Sequence, residues 1–335
     1  MPSLSALLAE KGILLADGAT GTNYFAMGLT AGDPPEMWNV DQPEKVASLH
    51  QQFVEAGADI ILTNTFGCNK HRLKLHHFEA RTHELNKAAA EIARGVADAA
   101  GRPVIVAGSV GPTGELFEPL GKLTYDDAVA CFKEQVEGLK AGGADVAWIE
   151  TMSEPQEMRA AMQGAIEAEL PYTFTGSFDT AGRTMMGLVP EGLGAVAEGM
   201  VPPPIAHGSN CGVGASDLLL SVLSMTEADP NAVIIAKGNC GIPVLKGAEV
   251  VYSGSPELMA NYVRLAVDSG ARIIGGCCGT SPAHLAAMRK ALDSHTKGPR
   301  PDRAKLEAEI GPMVAPPVDA ATRAARTRKS ARAGT

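Results

Sequence analysis

Cys277 and Cys278 stand side by side, bracketed by Gly275-Gly276 and Gly279, and Cys211 stands between Asn210 and Gly212. Adjacent cysteines rarely suit one unstrained disulfide to each other. A large chain without an export signal rarely rests on a disulfide framework. The six cysteines, Cys68, Cys131, Cys211, Cys240, Cys277 and Cys278, are therefore read as reduced thiols. Cys211, Cys277 and Cys278 together could ligate one soft or borderline cation, and zinc is the expected ion. Three protein ligands leave an open coordination position, the catalytic pattern. The competing reading makes them small buried apolar groups. Asp17 and Glu150 are carboxylates at the ends of short apolar runs, suited to a substrate ammonium. Lys237 ends another such run, where it could serve a lyase as a Schiff-base amine.

These residues need a scaffold that brings distant segments together. Short runs rich in Ile, Val and Leu alternate with longer amphipathic stretches. The runs begin near Ile13-Leu14-Leu15, Asp59-Ile60-Ile61-Leu62, Val104-Ile105-Val106, Val146-Ala147-Trp148-Ile149, Tyr172-Thr173-Phe174, Pro204-Ile205-Ala206, Val233-Ile234-Ile235 and Arg272-Ile273-Ile274. Such runs read as buried parallel strands. Between them, Glu44 to Ala56, Arg81 to Ala100 and Tyr125 to Ala141 carry helical periodicity. Pro155, Pro256 and Pro282 sit where a first helical turn accepts proline. Eight β/α units close most simply into a single (β/α)8 TIM barrel, with a doubly wound open sheet as the competitor. In a barrel, function collects at the C-terminal strand ends, where the chemistry-bearing residues fall.

The chain has 335 residues, 45% of them hydrophobic, so one large core is affordable. Residues 1–295 are expected to form the barrel and 296–335 a partly disordered extension. Arg323, Arg326, Arg328, Lys329 and Arg332 make that tail basic, either a solvated flexible tail or a partner-docking arm. A net charge of −9 argues against a general nucleic-acid binder. No apolar run is long enough for a membrane span, and Met1 to Glu10 lacks a secretory pattern. A cytoplasmic location is expected. Cys240 reads as a pocket thiol, since a fourth thiolate would close the site. Cys131 reads as core, Cys68 as a possible pocket thiol, His71, His76 and His77 as a solvated face, and His207 as a strand-face residue.

Several blocks occur in a recognisable order: Asp17-Gly18-Ala19-Thr20-Gly21-Thr22, Thr63-Asn64-Thr65-Phe66, Gly111-Pro112, Glu150-Thr151, Asn210-Cys211 and Gly275-Gly276-Cys277-Cys278-Gly279-Thr280. In these the chain resembles the homocysteine S-methyltransferase family over about residues 10 to 290. The resemblance implies zinc on Cys211, Cys277 and Cys278, with the homocysteine thiol filling the open position and methylated there to give methionine. It also implies that Asp17 and Glu150 contact homocysteine. Backbone N–H groups around Gly21, Thr22 and Thr65 are candidates for the substrate carboxylate, and Asn210 for orienting a ligand.

The methyl donor is less constrained. Trp38 matches a tryptophan of the betaine-using branch and is a candidate wall of an aromatic cage. Gly67 and Thr151 stand where that branch carries aromatics, and aromatics are only 4% of the chain. The first donor expectation is betaine or a related onium compound, S-methylmethionine among them. The alternative is a homocysteine-binding subunit of a split cobalamin-dependent methionine synthase, receiving methyl from a cobalamin-carrying partner protein. Two readings from other classes are the Lys237 lyase and a non-catalytic zinc-binding module.

Overall fold

The computed structural model describes residues 3–246 and 249–315. Its strands, in chain order, are β1 (Leu14–Leu15), β2 (Ile60–Leu62), β3 (Ile105–Val110), β4 (Val146–Met152), β5 (Tyr172–Gly176), β6 (His207–Cys211), β7 (Ile234–Gly238), β8 (Pro243–Lys246), β9 (Glu249–Tyr252) and β10 (Ile273–Gly276). Eight of them form one sheet, β1-β10-β7-β6-β5-β4-β3-β2, with every pairing parallel. Its two ends meet: Ala16 bridges Ile60, and the Asp17 N–H donates to Ile60 O at 3.0 Å. The sheet is a closed barrel, which excludes the open doubly wound alternative.

Side chains alternate across each strand, and that parity sorts the core. Leu14, Ile60, Leu62, Ile105, Ala107, Val146, Trp148, Ile235 and Ile273 share one buried cluster with Leu4, Leu7 and Leu8 of helix Leu4–Lys11. This cluster fills the barrel, and the helix closes its N-terminal end. Leu15, Ile61, Val106, Ala147, Ile149, Ile234, Ala236 and Ile274 belong to the larger cluster beneath the outer helices. The inward parity of β3, β4 and β7 continues upward to Ser109, Glu150 and Lys237. Their polar side chains are therefore aimed at the axis at the C-terminal end.

The expected helices are present at Pro43–Glu55, Thr82–Ala99, Tyr125–Ala141 and Pro155–Glu167. Two strand expectations shift. The sixth strand begins at His207, later than the Pro204 run, because Pro202, Pro203 and Pro204 lack the N–H that a ladder needs. The antiparallel hairpin of β8 and β9 follows β7 and was not expected. In the extension, helix Arg303–Ile310 packs back on helix Ala215–Ala228. Ser216 Oγ donates to Gly311 O at 2.7 Å, and the Asp217 carboxylate accepts the Val314 and Ala315 N–H groups. The basic residues Arg323, Arg326, Arg328, Lys329 and Arg332 lie outside the described residues. Among the described residues, no helix is long and apolar enough to cross a membrane.

One buried group gives the fold a pH dependence. His50 in helix Pro43–Glu55 is fully buried, and neither ring nitrogen has a hydrogen-bond partner. Burial pushes its pKa down to about 4, against about 6.5 in an unfolded chain. The unfolded state binds the proton first. Stability present above pH 6.5 is therefore lost as the pH falls toward 4, amounting to about 2 kcal/mol by pH 5. His50→Leu removes the titrating group. Urea unfolding should show the variant gaining on the wild type by about 2 kcal/mol between pH 7 and pH 5.

Candidate functional site

Cys211 ends β6, and Cys277 and Cys278 follow β10 directly. These two strands flank β7 in the sheet, so their C-terminal ends converge. The three Sγ atoms lie within 4.8 Å of one another, with Cys211 Sγ and Cys278 Sγ 3.8 Å apart. A tetrahedral zinc with Zn–S bonds of about 2.3 Å places its sulfur ligands about 3.8 Å apart. Three soft donors at that spacing fit a zinc-like cation. The shared S–H contacts within this trio, from Cys211 and Cys277 in turn, favour the thiolate at Cys278.

The backbone is built for this convergence. The Cys277 N–H donates to Gly238 O at 2.7 Å, the Cys278 N–H to Asn239 Oδ1 at 3.1 Å, and the Cys240 N–H to Cys278 O at 2.9 Å. A Cβ on Gly276 would lie 2.3 Å from the Thr280 side chain, and one on Gly279 would lie 2.4 Å from Tyr252 Cβ. Cys211 itself adopts φ 61°, an uncommon conformation for a residue with a side chain. Thr151, the residue after Glu150, also has φ 61°, at an irregularity in the β4–β5 register. Asn210 joins the two places. Its Oδ1 accepts from Thr151 N at 2.8 Å and Thr175 Oγ1 at 2.6 Å, and its Nδ2 donates to Thr151 Oγ1 at 2.7 Å. The same Nδ2 lies 3.9 Å from Cys277 Sγ.

Beside the sulfurs lies a cavity of about 420 Å3, whose wall includes Gly21, Thr22, Phe25, Glu150, Thr151 and Lys237. Ser109 Oγ donates to Glu150 Oε1 at 2.5 Å. Burial, reinforced by Cys277, lifts Glu150 to about 7, while Lys237 and Ser109 pull the other way. Lys237 Nζ donates to Asp17 Oδ1 at 2.9 Å and to Asp17 O at 3.1 Å. Burial works against this ammonium, but Asp17 and Glu150 outweigh it, and its pKa is raised. Burial also raises Asp17, and Lys237 and the Leu62 N–H only partly offset that.

The expected site residues divide. Cys211, Cys277, Cys278, Glu150, Gly21 and Thr22 all line the cavity, and Asn210 stands behind the sulfurs. Asp17 does not line it. Its side chain is fully buried, with one oxygen on Lys237 and the other on the Leu62 N–H at 2.7 Å. The Thr65 N–H is already bonded to Thr63 O, so it has no donor left for a carboxylate. Trp38 packs on Tyr24 at 5.3 Å, carries Lys45 Nζ 4.4 Å from its ring centroid and is absent from the cavity wall. It is a core residue because Lys45 and Tyr24 take its faces. Cys240 is buried outside the sulfur trio, and Cys68 packs with Leu73 and Leu85 away from the cavity. His207 stacks on Phe174 at 5.7 Å. Sequence reasoning missed Ser109, Thr175 and Asn239. Strand parity was the signal that could have found the first. Sequence reasoning considered Lys237 only as the Schiff-base amine of a rival lyase, although a lysine inside an apolar strand demands a buried acid.

The sequence model of a family described as homocysteine S-methyltransferase matches residues 14–292. A methionine synthase of Mycobacterium tuberculosis (strain ATCC 25618 / H37Rv) is 32% identical over 302 residues, covering 84% of this chain and 24% of that protein. A methionine synthase of Mycobacterium leprae (strain TN) is 31% identical over 319 residues, covering 88% and 26%. The chain thus spans about a quarter of the length of these curated relatives. Crystal structures of the homocysteine methyltransferase MmuM from Escherichia coli are also similar, at 25% identity. The oxidized form superposes with a TM-score of 0.73 over 87% of this chain and 99% of that one, and the metallated form with 0.72 over 85% and 98%.

The Asp17–Lys237 pair yields a stability test. Removing one partner strands the other charge in a dry interior. Lys237→Met should cost about 3–5 kcal/mol in urea unfolding at pH 7. Adding Asp17→Asn to it should recover part of that loss.

Proposed function

The chain belongs to the homocysteine S-methyltransferase family, and on that premise we propose that it is a zinc-dependent methyltransferase converting homocysteine to methionine. The observation that carries this reading is the meeting of three cysteine sulfurs at one wall of a cavity that also presents Glu150 and Lys237. One carboxylate and one ammonium are the charges that a zwitterionic amino acid complements, and the sulfurs beside them suit a thiol end.

Cys211, Cys277 and Cys278 are the residues that would hold zinc. Bound there, zinc supplies a cation that lowers the pKa of an incoming thiol, so that a sulfur nucleophile exists at neutral pH. Glu150, poised near 7, is held ionised once an ammonium arrives beside it. Gly21 and Thr22, at the start of helix Gly21–Ala26, offer backbone N–H groups toward the substrate carboxylate. Asn210, next to Cys211 in the chain, holds Thr151 by its backbone N–H and its hydroxyl, which ties the end of β6 to the segment that carries Glu150. Asp17 acts through Lys237, holding its ammonium in place. The homocysteine sulfur forms the new bond to carbon as the donor–methyl bond breaks with its electron pair left on the donor, and the thiol proton leaves to solvent.

The donor follows from the mouth of the cavity. Trp38 lies in the core, so the expected cage lacks its principal wall. Instead, Phe25, Phe66, Leu75, Leu116, Leu120, Met185 and Met186 are exposed apolar side chains on segments that follow β1, β2, β3 and β5. All of these segments leave the barrel at the end that carries the sulfurs. Exposed apolar groups on the loops around the sulfurs suit contact with another macromolecule. This favours a methyl group carried on a protein, such as methylcobalamin on a partner module, over a free onium compound.

The pinned Lys237 disfavours the lyase reading, because an ion-paired ammonium is a poor Schiff-base nucleophile. A passive zinc module would not need Glu150 and Lys237 in the same cavity.

Cys277→Ala should reduce retained zinc from about one per chain to near zero by atomic absorption, and methionine formation should vanish with it. Full turnover by metal-free protein would refute the assignment. Glu150→Gln should raise the homocysteine KM by about tenfold or more with zinc content unchanged. A donor panel of betaine, dimethylsulfoniopropionate, S-methylmethionine and free or protein-borne methylcobalamin should favour the protein-borne donor. Efficient use of betaine alone would restore the onium reading.

A further inference from the structure

The opposite end of the barrel carries a charge imbalance that methyl transfer does not use. Between the N-terminal ends of β1, β7 and β10 lies a cavity of about 820 Å3, whose wall holds Lys11, Arg272, Arg289, His295, Lys297 and Arg300 and no acidic residue. Half of these basic groups are balanced from behind. Lys11 pairs with Asp59 at 2.6 Å, Arg289 with Asp59 at 3.3 Å and with Asp293, and His295 Nε2 lies 2.8 Å from Asp268.

The other three make no ion pair among the described residues. Arg272 donates from Nε to Gly12 O at 3.0 Å and from Nη2 to Leu8 O at 3.4 Å. Arg300 donates from Nη1 to Thr226 Oγ1 at 2.9 Å and from Nη2 to Leu223 O. Leu8 and Gly12 lie in and just past the last turn of helix Leu4–Lys11, and Leu223 lies within helix Ala215–Ala228. Carbonyls there orient a guanidinium but carry only a partial charge. Exposed Lys297 has no hydrogen-bonding partner among the described residues. In a chain of net charge −9, three unbalanced cations around one concavity form a local field of the opposite sign.

We propose that this cavity binds an anion bearing a diphosphate group. A diphosphate is a polyanion near neutral pH, which suits a wall whose cations outnumber the carboxylates behind it. The guanidinium N–H groups that these bonds leave free can donate to phosphate oxygens, and the Lys297 ammonium adds a point charge. The volume falls in the range of small-molecule pockets, about 300–1,000 Å3, and exceeds what a lone phosphate fills. The site sits at the barrel end remote from the sulfurs and stands independently of the methyl-transfer reading.

Titration calorimetry on the full chain, with inorganic pyrophosphate and separately with ADP, tests it. Saturable binding of either is expected, and it should weaken as salt rises. Binding of pyrophosphate alone identifies a free diphosphate, and binding of ADP identifies a nucleoside diphosphate. Lys297→Glu reverses a charge that holds nothing else in place, and should weaken binding about tenfold or more while leaving thermal unfolding and zinc content unchanged. No binding of either probe up to about 10 mM, or unchanged affinity in Lys297→Glu, overturns the proposal.

Discussion

Asp17 ties four strands together at one point. It follows β1 directly. Its N–H and one carboxylate oxygen engage β2 at Ile60 and Leu62, its other oxygen takes Lys237 of β7, and its carbonyl accepts the Gly276 N–H of β10. β1 is only two residues long, so this seam would otherwise rest on few ladder bonds. A buried ion pair contributes little net stability over an apolar alternative, but it resists any arrangement that separates its members. Here that resistance fixes the offset between the first and last strands of the barrel. Every later position on the C-terminal rim is measured from it, including the loop that carries Cys277 and Cys278.

The strain at the rim is tolerable for the same reason. Cys211 and Thr151 both hold positive φ angles, each at a cost of order 1–3 kcal/mol. Such conformations persist only where surrounding structure over-determines them. At Thr151, Asn210 does this with both ends of its amide, and the barrel below it is close-packed. Strand ends on a rigid barrel are a precise place to position side chains.

Much of this was legible in the sequence, and the limits are physical. Runs such as Asp59-Ile60-Ile61-Leu62 announce buried strands because few other structures hide so many β-branched side chains in so few residues. The Gly275-Gly276-Cys277-Cys278-Gly279 block is legible because its glycines serve one crowded turn. Trp38 was misread because composition cannot say which face of an aromatic ring is already occupied. The Asp17–Lys237 pair was not legible because a strand-end carboxylate looks alike whatever its partner, here a lysine 220 residues away. The hairpin of β8 and β9 escaped because it lies outside the eight-unit pattern, and the pattern drew the eye past it. Ser109 was recoverable: counting by two from Ile105 places it on the axis, level with Glu150.

Helix Leu4–Lys11 caps a barrel already filled by packed side chains, so no passage runs through its axis. The cavity beside the sulfurs is one-sided: whatever reaches it must cross the rim formed by the loops after the strands.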